Sequence, residues 1–346
     1  MNSVRLAIFS GSDQPIQVIE RPLPSTLGQG ETLVEILLAT ICGSDLHTWD
    51  GRRQEPVPSV LGHEAVGRVV ASGPGTPFRR AGERVTWTSA ASCGVCAACH
   101  EWQLPQKCVE LFKYGHSSLG EGTGLNGCYA SHILLRRGTS IFAVPDCLSD
   151  SVVAPINCAL ATMVSATEVL PVPCRTAVIQ GAGLLGLYGC ALLRSKGVER
   201  VLMVDTETTR LSRVPDFGGE PILDSLRGGI LPGQVDAVFE VAGTSSVVAE
   251  GVEYLRPGGS YTFIGMVLPG TSLALTGETI IRKCLTIRGV HNYAPRHLEA
   301  ALRFLEHHRD KHPWSTLVSS PYPLAHLEEA FNETRRRTWP RVSVRP

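Results

Sequence analysis

The sequence predicts an α/β protein of two domains, one rich in short β-strands and one doubly wound around a parallel sheet. The chain has 346 residues, which is more than a single hydrophobic core usually supports. Short runs rich in β-branched residues, separated by Gly and Pro, fill the segment up to about residue 145. Strand and helix patterns alternate from residue 176 onward, which is typical of parallel strands joined by crossover helices.

Charge and hydropathy exclude some classes of partner. The sequence has 32 Lys and Arg against 32 Asp and Glu, and this balance gives no basic footprint for nucleic acid. We interpret the basic stretch "TRRRTWPR" (334–341) as a solvated surface segment. No apolar run reaches the roughly 18 to 20 residues of a membrane span, and the N-terminus lacks a secretory signal pattern. We therefore predict a cytoplasmic protein with neither a membrane nor a nucleic-acid partner, whose cysteines are thiols and metal ligands.

The first domain is predicted from apolar runs that are short and frequently interrupted. These runs are "VRLAIF" (4–9), "ETLVEILLATIC" (31–42), "HEAVGRVVASG" (63–73), "GERVTW" (82–87), "GCYASHILL" (127–135) and "TSIFAVP" (139–145). Their β-branched content and their Gly and Pro punctuation predict an irregular barrel. An apolar segment over 151–170 then predicts a helix.

The second domain is predicted from longer alternating units. The buried-type strand "TAVIQ" (176–180) is followed by "GAGLLG", a helical segment (184–197) and the strand "RVLMVD" (200–205). Later strands are "VDAVFEVAG" (235–243), "GSYTFIG" (259–265) and "LTIRGV" (285–290). Helices are predicted near 295–308 and 324–335, in a tail that we assign to the first domain.

"GAGLLG" carries the spacing of a dinucleotide-binding turn, and it lies between a buried strand and a helix as that motif requires. Its glycines permit a tight turn, the approach of a pyrophosphate to the helix N-terminus, and close helix–strand packing. Asp205 ends the next strand, where a carboxylate accepts hydrogen bonds from ribose hydroxyls and repels a 2′-phosphate, so NAD is favoured over NADP. Arg210 keeps NADP as the alternative. The predicted cofactor-binding residues are Gly181, Gly183, Leu184, Leu185, Gly186, Asp205 and Arg210.

"CGVCAACHEWQLPQKC" (93–108) places four cysteines close together in the chain. Two C-x-x-C steps followed by a further Cys suit tetrahedral zinc, with Cys93, Cys96, Cys99 and Cys108 as ligands. Redox activity and unligated thiols are the alternatives. Because four sulfurs leave no open position, such a site contributes to folding and not to catalysis.

A second candidate metal set is scattered along the chain. Cys42, His63 and Cys158 form a Cys₂His set, a composition found in catalytic zinc sites that keep one position open. Taken singly, each residue also fits a buried core thiol or a loop histidine. The remaining cysteines, which we interpret as core thiols, are Cys128, Cys147, Cys174, Cys190 and Cys284.

Together, "CGSDLH", "GHEAVGRVV", the four-cysteine segment and "GAGLLG" resemble the zinc-containing medium-chain dehydrogenase/reductase (alcohol dehydrogenase) superfamily over nearly the whole chain. The resemblance implies a GroES-like catalytic domain in residues 1–148 and 291–346 and a Rossmann NAD-binding domain in 149–290. It implies two zinc ions per chain, NAD as cofactor, a small alcohol or carbonyl substrate, and a homodimer or homotetramer. Relative to the family, the segment between Asp205 and residue 235 is about ten residues short, which predicts a trimmed crossover helix.

The resemblance also implies roles for individual residues. The catalytic zinc is held by Cys42, His63 and Cys158, with Glu64 as a nearby or alternating ligand. Asp45 orients the zinc histidine. Ser44 and His47 relay the proton released from the alcohol, a step that suits a histidine because its ordinary pKa lies near neutrality. The predicted catalytic residues are thus Ser44, His47 and Glu64.

The predicted substrate pocket is basic. Its residues are Trp49, Arg52, Arg53, Lys113, His116 and His291. Such a group favours an anionic substrate, and "FKYGH", "NCALAT" and "CLTIRGVHNY" resemble a subgroup associated with phosphonate metabolism, so a hydroxyalkyl phosphonate is the first candidate. Solvated loop side chains are the alternative interpretation of each residue. For the whole protein the alternatives are a polyol or amino-alcohol dehydrogenase, a zinc-free reductase, and a non-catalytic member of the scaffold.

Overall fold

A computed structural model describes residues 3–76, 80–223, 230, 232–268, 270–273 and 275–346. The chain forms two compact units, the first made of Met1–Cys158 with Tyr293–Pro346 and the second of Ala159–Asn292. Within the described ranges, no helix combines the length and the apolar character that crossing a bilayer requires.

The strands alternate with short helices along the chain. The strands are β1 (Ser3–Ile8), β2 (Gln17–Pro22), β3 (Thr32–Thr40), β4 (Glu64–Ser72), β5 (Arg84–Trp87), β6 (Ala90–Ala91), β7 (Phe112–Lys113), β8 (His132–Leu135), β9 (Ile141–Ala143), β10 (Thr176–Gln180), β11 (Arg200–Asp205), β12 (Glu220–Leu223), β13 (Val235–Glu240), β14 (Leu255–Phe263), β15 (Thr286–Gly289), β16 (Tyr322–Pro323) and β17 (Ser343–Arg345). The α-helices are α1 (Gly43–Trp49), α2 (Ala97–His100), α3 (Asp150–Val153), α4 (Ala161–Ala166), α5 (Leu184–Ser195), α6 (Thr208–Leu211), α7 (Val248–Tyr254), α8 (Gly277–Arg282), α9 (Pro295–His308) and α10 (Leu327–Arg336).

The first unit is built on a sheet with the order β16-β17-β3-β4-β5-β9, in which β8 also pairs with β3. β3 and β4 are antiparallel, and Thr40 lies opposite Glu64 in their register. Cys42 and His63 therefore come to the same end of this pair, although 20 residues of chain separate them. The sheet surrounds a core that includes the buried rings of Trp87, Tyr129 and Phe331.

The apolar segment predicted as one helix over 151–170 is divided into three. α3 ends at Val153, a turn with π-type hydrogen bonding covers Ile156–Leu160, and α4 follows. Pro155 explains the interruption, because it has no N–H to donate and its ring clashes with the preceding turn. Cys158 lies inside the π-type turn, and such turns often occur at functional positions.

The second unit is a parallel sheet with the order β12-β11-β10-β13-β14-β15. This is the doubly wound order, in which ligands bind at the carboxyl ends of the central strands. The predicted fold class of the two domains is thereby confirmed. The helix α6 after β11 is a single turn, and a 3-10 turn (Val214–Phe217) and β12 follow it; residues 224–229 and 231 of the shortened segment lie outside the described residues.

The interpretation of Cys147 and Cys284 as core thiols is wrong. Cys147 and Cys284 are exposed, whereas only Cys128 and Cys190 of the unassigned cysteines are buried. Both exposed thiols lie in turns between elements, where a short apolar side chain has no core to enter.

Candidate active site

The cysteine lobe, defined as Cys93, Cys96, Cys99 and Cys108, brings four sulfurs together on one loop. Sγ–Sγ distances are 3.5 Å for Cys96–Cys99, 3.9 Å for Cys96–Cys108 and 3.4 Å for Cys93–Cys108. Zinc with sulfur at about 2.3 Å in a tetrahedron requires sulfurs about 3.8 Å apart. The lobe therefore has the geometry of a closed four-sulfur metal site.

Backbone N–H groups point at the sulfurs of the lobe. The N–H groups of Cys93 and Glu110 lie 3.2 and 3.4 Å from Cys108 Sγ. The backbone N–H groups of Val109 and Cys99 lower the pKa of Cys96 to about 6. Donors placed in this way stabilise thiolates, which are the form that binds a metal.

The buried centre, defined as Cys42, His63, Glu64 and Cys158, gathers ligand atoms that all lie within 4.8 Å of one another. Cys42 is the N-cap of α1, and His63 with Glu64 stands at the start of β4. Cys158 comes from the π-type turn, and its Sγ lies 4.0 Å from Cys42 Sγ. Two sulfurs, an imidazole and a carboxylate thus converge from three segments of the chain.

The turn that carries Cys158 is fastened by its neighbour Asn157. The Asn157 side-chain amide donates to the carbonyl of His63 at 3.1 Å and to the carbonyl of Trp87 at 3.0 Å. The hydroxyl of buried Tyr293 donates to the Asn157 carbonyl and accepts from the N–H of Ser89 at 3.3 Å. These bonds tie one sulfur ligand to the backbone of the histidine ligand.

Asp45 lies behind the imidazole of His63. Asp45 Oδ1 is 3.2 Å from His63 Nδ1, an ion-pair contact, and neither atom has a hydrogen-bond partner in the described part of the chain. Burial alone would lower the pKa of His63, but the Asp45 carboxylate and the Cys42 sulfur together outweigh it and raise that pKa well above its usual value. This arrangement leaves Nε2 as the nitrogen available to a metal.

Arg341 contacts the buried centre from the opposite end of the chain. Its guanidinium binds both carboxylate oxygens of Glu64, at 2.9 and 3.1 Å, and its Nη2 lies 3.8 Å from Cys42 Sγ. The Thr40 hydroxyl donates to Glu64 at 2.7 Å. Arg341 is 8% exposed, so the interpretation of "TRRRTWPR" as a solvated segment is wrong for its last residue, which follows Pro340 into the core.

The two sulfurs of the buried centre differ in acidity. A hydrogen bond with Cys158, helped by Arg341 and His63, lowers the pKa of Cys42 well below its usual value. The same hydrogen bond, together with burial, raises the pKa of Cys158. Burial raises the pKa of Glu64 to about 7 against the opposing effect of Arg341. Sulfurs at 4.0 Å, an oriented imidazole and nearby cations and donors fit a Cys₂His zinc site.

Ser44 and His47 lie on α1, directly after Cys42. Both are half-buried, and His47 Nδ1 is a buried atom without a hydrogen-bond partner among the described residues. Burial, followed by the charge of Arg52, lowers the pKa of His47 below its usual value. The imidazole is therefore neutral near neutral pH and able to accept a proton.

The glycine turn of the second unit has the shape of a phosphate-binding turn. Gly181 has φ +117°, a region that L side chains rarely adopt. A Cβ on Gly186 would lie 2.1 Å from the Gly181 carbonyl oxygen, whereas a Cβ on Gly183 would meet nothing within 4 Å. Gly181 thus allows the tight turn, Gly186 the close packing of helix on strand, and Gly183 the open approach that a pyrophosphate requires. Leu184 and Leu185 begin α5.

Asp205, at the end of β11, is bound to this turn. Its Oδ2 accepts from the N–H of Ala182 at 2.7 Å and from Arg210 at 3.0 Å, and its Oδ1 accepts from the N–H of Glu207 at 3.0 Å. The carboxylate therefore shapes the glycine turn and positions Arg210.

The structure separates the predicted pocket residues into groups. Arg53 Nε lies 2.6 Å and His116 Nδ1 3.1 Å from the same oxygen of Glu55. Lys113 is close enough to Arg53 and Glu55 to feel their charges, and burial lowers its pKa. The His116 ring centroid is 5.2 Å from that of His63, which places this group beside the buried centre.

The other predicted pocket residues lie elsewhere. The indole of Trp49 is stacked on Phe331, with centroids 4.9 Å apart, and the Arg335 guanidinium lies over it at 4.8 Å. Arg52 is half exposed and pairs with Asp50 at 2.6 Å. His291 belongs to the second unit and is exposed.

Four residues of the site escaped the sequence interpretation, namely Glu55, Asn157, Arg341 and Tyr129, whose hydroxyl donates to Asp45 Oδ2 at 2.9 Å. Asn157 adjoins a predicted ligand, which is a usable signal. Arg341 and Tyr129 act through contacts with residues distant in the chain, and Glu55 meets the distant His116 as well as Arg53, two residues away.

Family models match most of the chain. The alcohol dehydrogenase GroES-like domain matches residues 28–146, and the glucose dehydrogenase C-terminus matches residues 151–338. The chain therefore belongs to the zinc-containing medium-chain dehydrogenase/reductase (alcohol dehydrogenase) superfamily, whose members are oxidoreductases.

Particular relatives agree with this family. An alcohol dehydrogenase from Thermotoga maritima has a similar structure, with a TM-score of 0.91, 29% identity and 99% of each chain covered. An L-threonine 3-dehydrogenase from Chelativorans sp. is 26% identical over 308 residues, covering 84% of each chain. An L-threonine 3-dehydrogenase from Streptomyces avermitilis is 28% identical over 279 residues, covering 77% of this chain and 78% of its own.

Proposed function

We propose that the protein is a zinc-dependent dehydrogenase that transfers hydride between an alcohol and NAD. The observation that carries this proposal is the buried centre, where Cys42, His63 and Cys158 converge with Asp45 behind the imidazole. These three residues would hold the catalytic zinc, and the cysteine lobe would hold the second. Zinc in the buried centre supplies a Lewis acid that lowers the pKa of an alcohol or polarises a carbonyl. A zinc-free reductase or a non-catalytic member would not need either ligand set.

The side chains around the buried centre keep its geometry. Asp45 Oδ1 faces His63 Nδ1 at 3.2 Å and so favours the form of the imidazole that carries a proton on Nδ1 and presents Nε2. Arg341 and Thr40 occupy both oxygens of Glu64. We therefore assign Glu64 to a position beside the metal, from which it becomes a ligand only when these bonds open.

Ser44 and His47 are assigned to proton transfer. Oxidation of an alcohol releases a hydride from carbon and a proton from oxygen, and the proton needs an acceptor in a site shielded from water. The role of His47 is supported by its lowered pKa and by its Nδ1, which has no hydrogen-bond partner among the described residues. The Ser44 hydroxyl would pass the proton to His47.

The glycine turn and the start of α5 are assigned to the pyrophosphate of the cofactor. Asp205 supports NAD, because its carboxylate repels a 2′-phosphate. The residues assigned to the cofactor site are those of the turn together with Asp205 and Arg210. Since Arg210 is already paired with Asp205 at 3.0 Å, binding NADP would require that pair to open.

For the substrate we propose an alcohol that carries an anionic group, with a hydroxyalkyl phosphonate as the first candidate. Arg53 and Lys113 supply two positive charges beside the buried centre and Glu55 supplies one negative charge, which leaves a net positive site. Arg53 has the planar donor geometry that oxyanions bind.

An amino alcohol is the second candidate, and Glu55 is the observation that favours it. Its side chain is only 10% exposed and lies between Arg53 and His116. A carboxylate in that position would bind an ammonium group while Arg53 binds a carboxylate or phosphonate. The relatives named L-threonine 3-dehydrogenase are consistent with such a substrate.

A substrate screen monitored by nicotinamide absorbance tests the proposal. The panel contains hydroxyalkyl phosphonates, amino alcohols, neutral polyols and aryl alcohols, each with NAD and with NADP. Arg53→Ala is expected to lower kcat/KM for the anionic alcohols by about 10-fold to 100-fold, because a charged hydrogen bond is lost, and to leave neutral alcohols unaffected. Arg52 pairs with Asp50 instead, so Arg52→Ala should change kcat/KM for anionic and neutral alcohols by the same factor. Equal effects of Arg53→Ala on both classes would refute the anionic substrate.

A further inference from the structure

Tyr129 is fully buried, and its ring is held in one position. A Cβ on Gly62 would lie 2.9 Å from the ring, so the ring packs directly on the backbone that precedes His63. Phe331 meets it edge to face at a centroid distance of 5.8 Å. The packing of the ring therefore helps to hold the hydroxyl in place.

The Tyr129 hydroxyl donates to Asp45 Oδ2 at 2.9 Å. The backbone N–H of Cys42 donates to the same oxygen at 3.0 Å. The Thr40 carbonyl is a second acceptor for the hydroxyl, but at 3.4 Å it is more distant. With two donors on Oδ2, the plane of the carboxylate is set, and Oδ1 is left to face His63 Nδ1 at 3.2 Å.

We propose that Tyr129 is a positioning residue of the buried centre, which acts on the metal through Asp45 and His63. The carboxylate torsion of Asp is broad, so a single donor on Oδ2 would allow the plane to turn. The hydroxyl of Tyr129 restricts that rotation and keeps Oδ1 directed at the imidazole. The inference rests on the proposed zinc site, and it adds a residue behind the aspartate that orients the histidine.

The expected effect is on metal affinity. Removing a group that directly orients a metal ligand costs about 10-fold to 100-fold in affinity. Because Tyr129 acts one contact further away, Tyr129→Phe should weaken zinc binding at the buried centre by about 3-fold to 10-fold. The cysteine lobe should keep its affinity, which provides a control inside the same molecule.

Zinc dissociation constants of both sites, obtained by competition with a chromophoric chelator on the full chain, test the proposal. Tyr114→Phe is the matched control, since Tyr114 is equally buried and its hydroxyl bonds Thr139 and the N–H of Arg136. Tyr114→Phe should leave zinc affinity at the buried centre unchanged even if both variants lose similar stability. Asp45→Asn should weaken the site by itself, and Tyr129→Phe should add nothing in that background.

The outcomes separate the inference from the proposed function. Unchanged zinc affinity in Tyr129→Phe, while Asp45→Asn weakens the site, would overturn the inference alone. If Tyr129→Phe weakened zinc binding by the same factor in the wild-type and Asp45→Asn backgrounds, the inference would also be overturned. The hydroxyl would then act through packing and not through Asp45. A wild-type chain that binds zinc only at the cysteine lobe would overturn the proposed function, and the inference with it.

Discussion

The cysteine lobe and the buried centre are both sulfur-rich candidate metal sites, but they are built in opposite ways. The four ligands of the lobe lie within residues 93–108 and receive hydrogen bonds from their own backbone. The ligands of the buried centre span 116 residues and depend on side chains such as Asp45 and Arg341. One loop supplies all four sulfurs of the lobe. The buried centre, in contrast, forms only when the fold brings distant segments of the chain together.

This comparison predicts that loss of a cysteine lowers activity at the buried centre but lowers stability at the lobe. Cys158→Ala should lower activity toward the best substrate of the screen by about 10³-fold or more, because Lewis-acid stabilisation amounts to several kcal/mol. Metal analysis should show that the variant keeps the zinc of the lobe. Cys147→Ala, which removes an exposed thiol, is the matched control. Equal activity in the two variants would remove the buried centre from the chemistry.

The lobe should show the reverse pattern. Cys108→Ser should lose the lobe zinc and lower the free energy of unfolding by several kcal/mol, because zinc binding in such sites is coupled to folding. The zinc at the buried centre and the KM for substrate should change little at low temperature. Thermal unfolding followed together with metal content measures both effects. A loss of activity without a loss of stability would contradict the structural role.

The ion pair between Arg341 and Glu64 tests how far the buried centre depends on distant residues. Arg341→Met should destabilise the protein by about 3–5 kcal/mol, because it leaves a buried carboxylate without its partner. The double variant Arg341→Met with Glu64→Gln should recover part of this loss, and chemical denaturation measures the difference. If the double variant is no more stable than Arg341→Met alone, burial of an unpaired charge is not the cause.

The same contrast explains what the sequence could predict. The lobe was predicted from spacing alone, because its ligands are neighbours in the chain. The buried centre needed the family resemblance, since nothing in the segments of Cys42 and Cys158 shows that they meet. Arg341 was assigned to the surface, because its contact with Glu64 spans 277 residues and its own segment is basic. The strands β10 and β11 match the predicted ranges to the residue, whereas the single helix predicted over 151–170 left out the break that Pro155, a signal present in the sequence, indicates.

The predicted pocket shows that residues adjacent in the sequence need not belong to the same site. Arg52 and Arg53 are adjacent, yet only Arg53 joins Glu55 beside the buried centre, while Arg52 pairs with Asp50. A basic cluster in the sequence therefore overstated the charge at the site, and it did not include the carboxylate that reduces it.

The smallest expected effect concerns the proton acceptor. Arg52 is the second cause, after burial, of the lowered pKa of His47, while Asp50 acts in the opposite direction. His47 must be neutral to accept a proton, so activity falls as the pH drops through its pKa. Arg52→Gln should raise that pKa and move the acidic limb of the kcat/KM profile to higher pH, and Asp50→Asn should move it to lower pH. Profiles recorded with one neutral alcohol measure both shifts, and limbs that move in the same direction would mean that another group controls the titration.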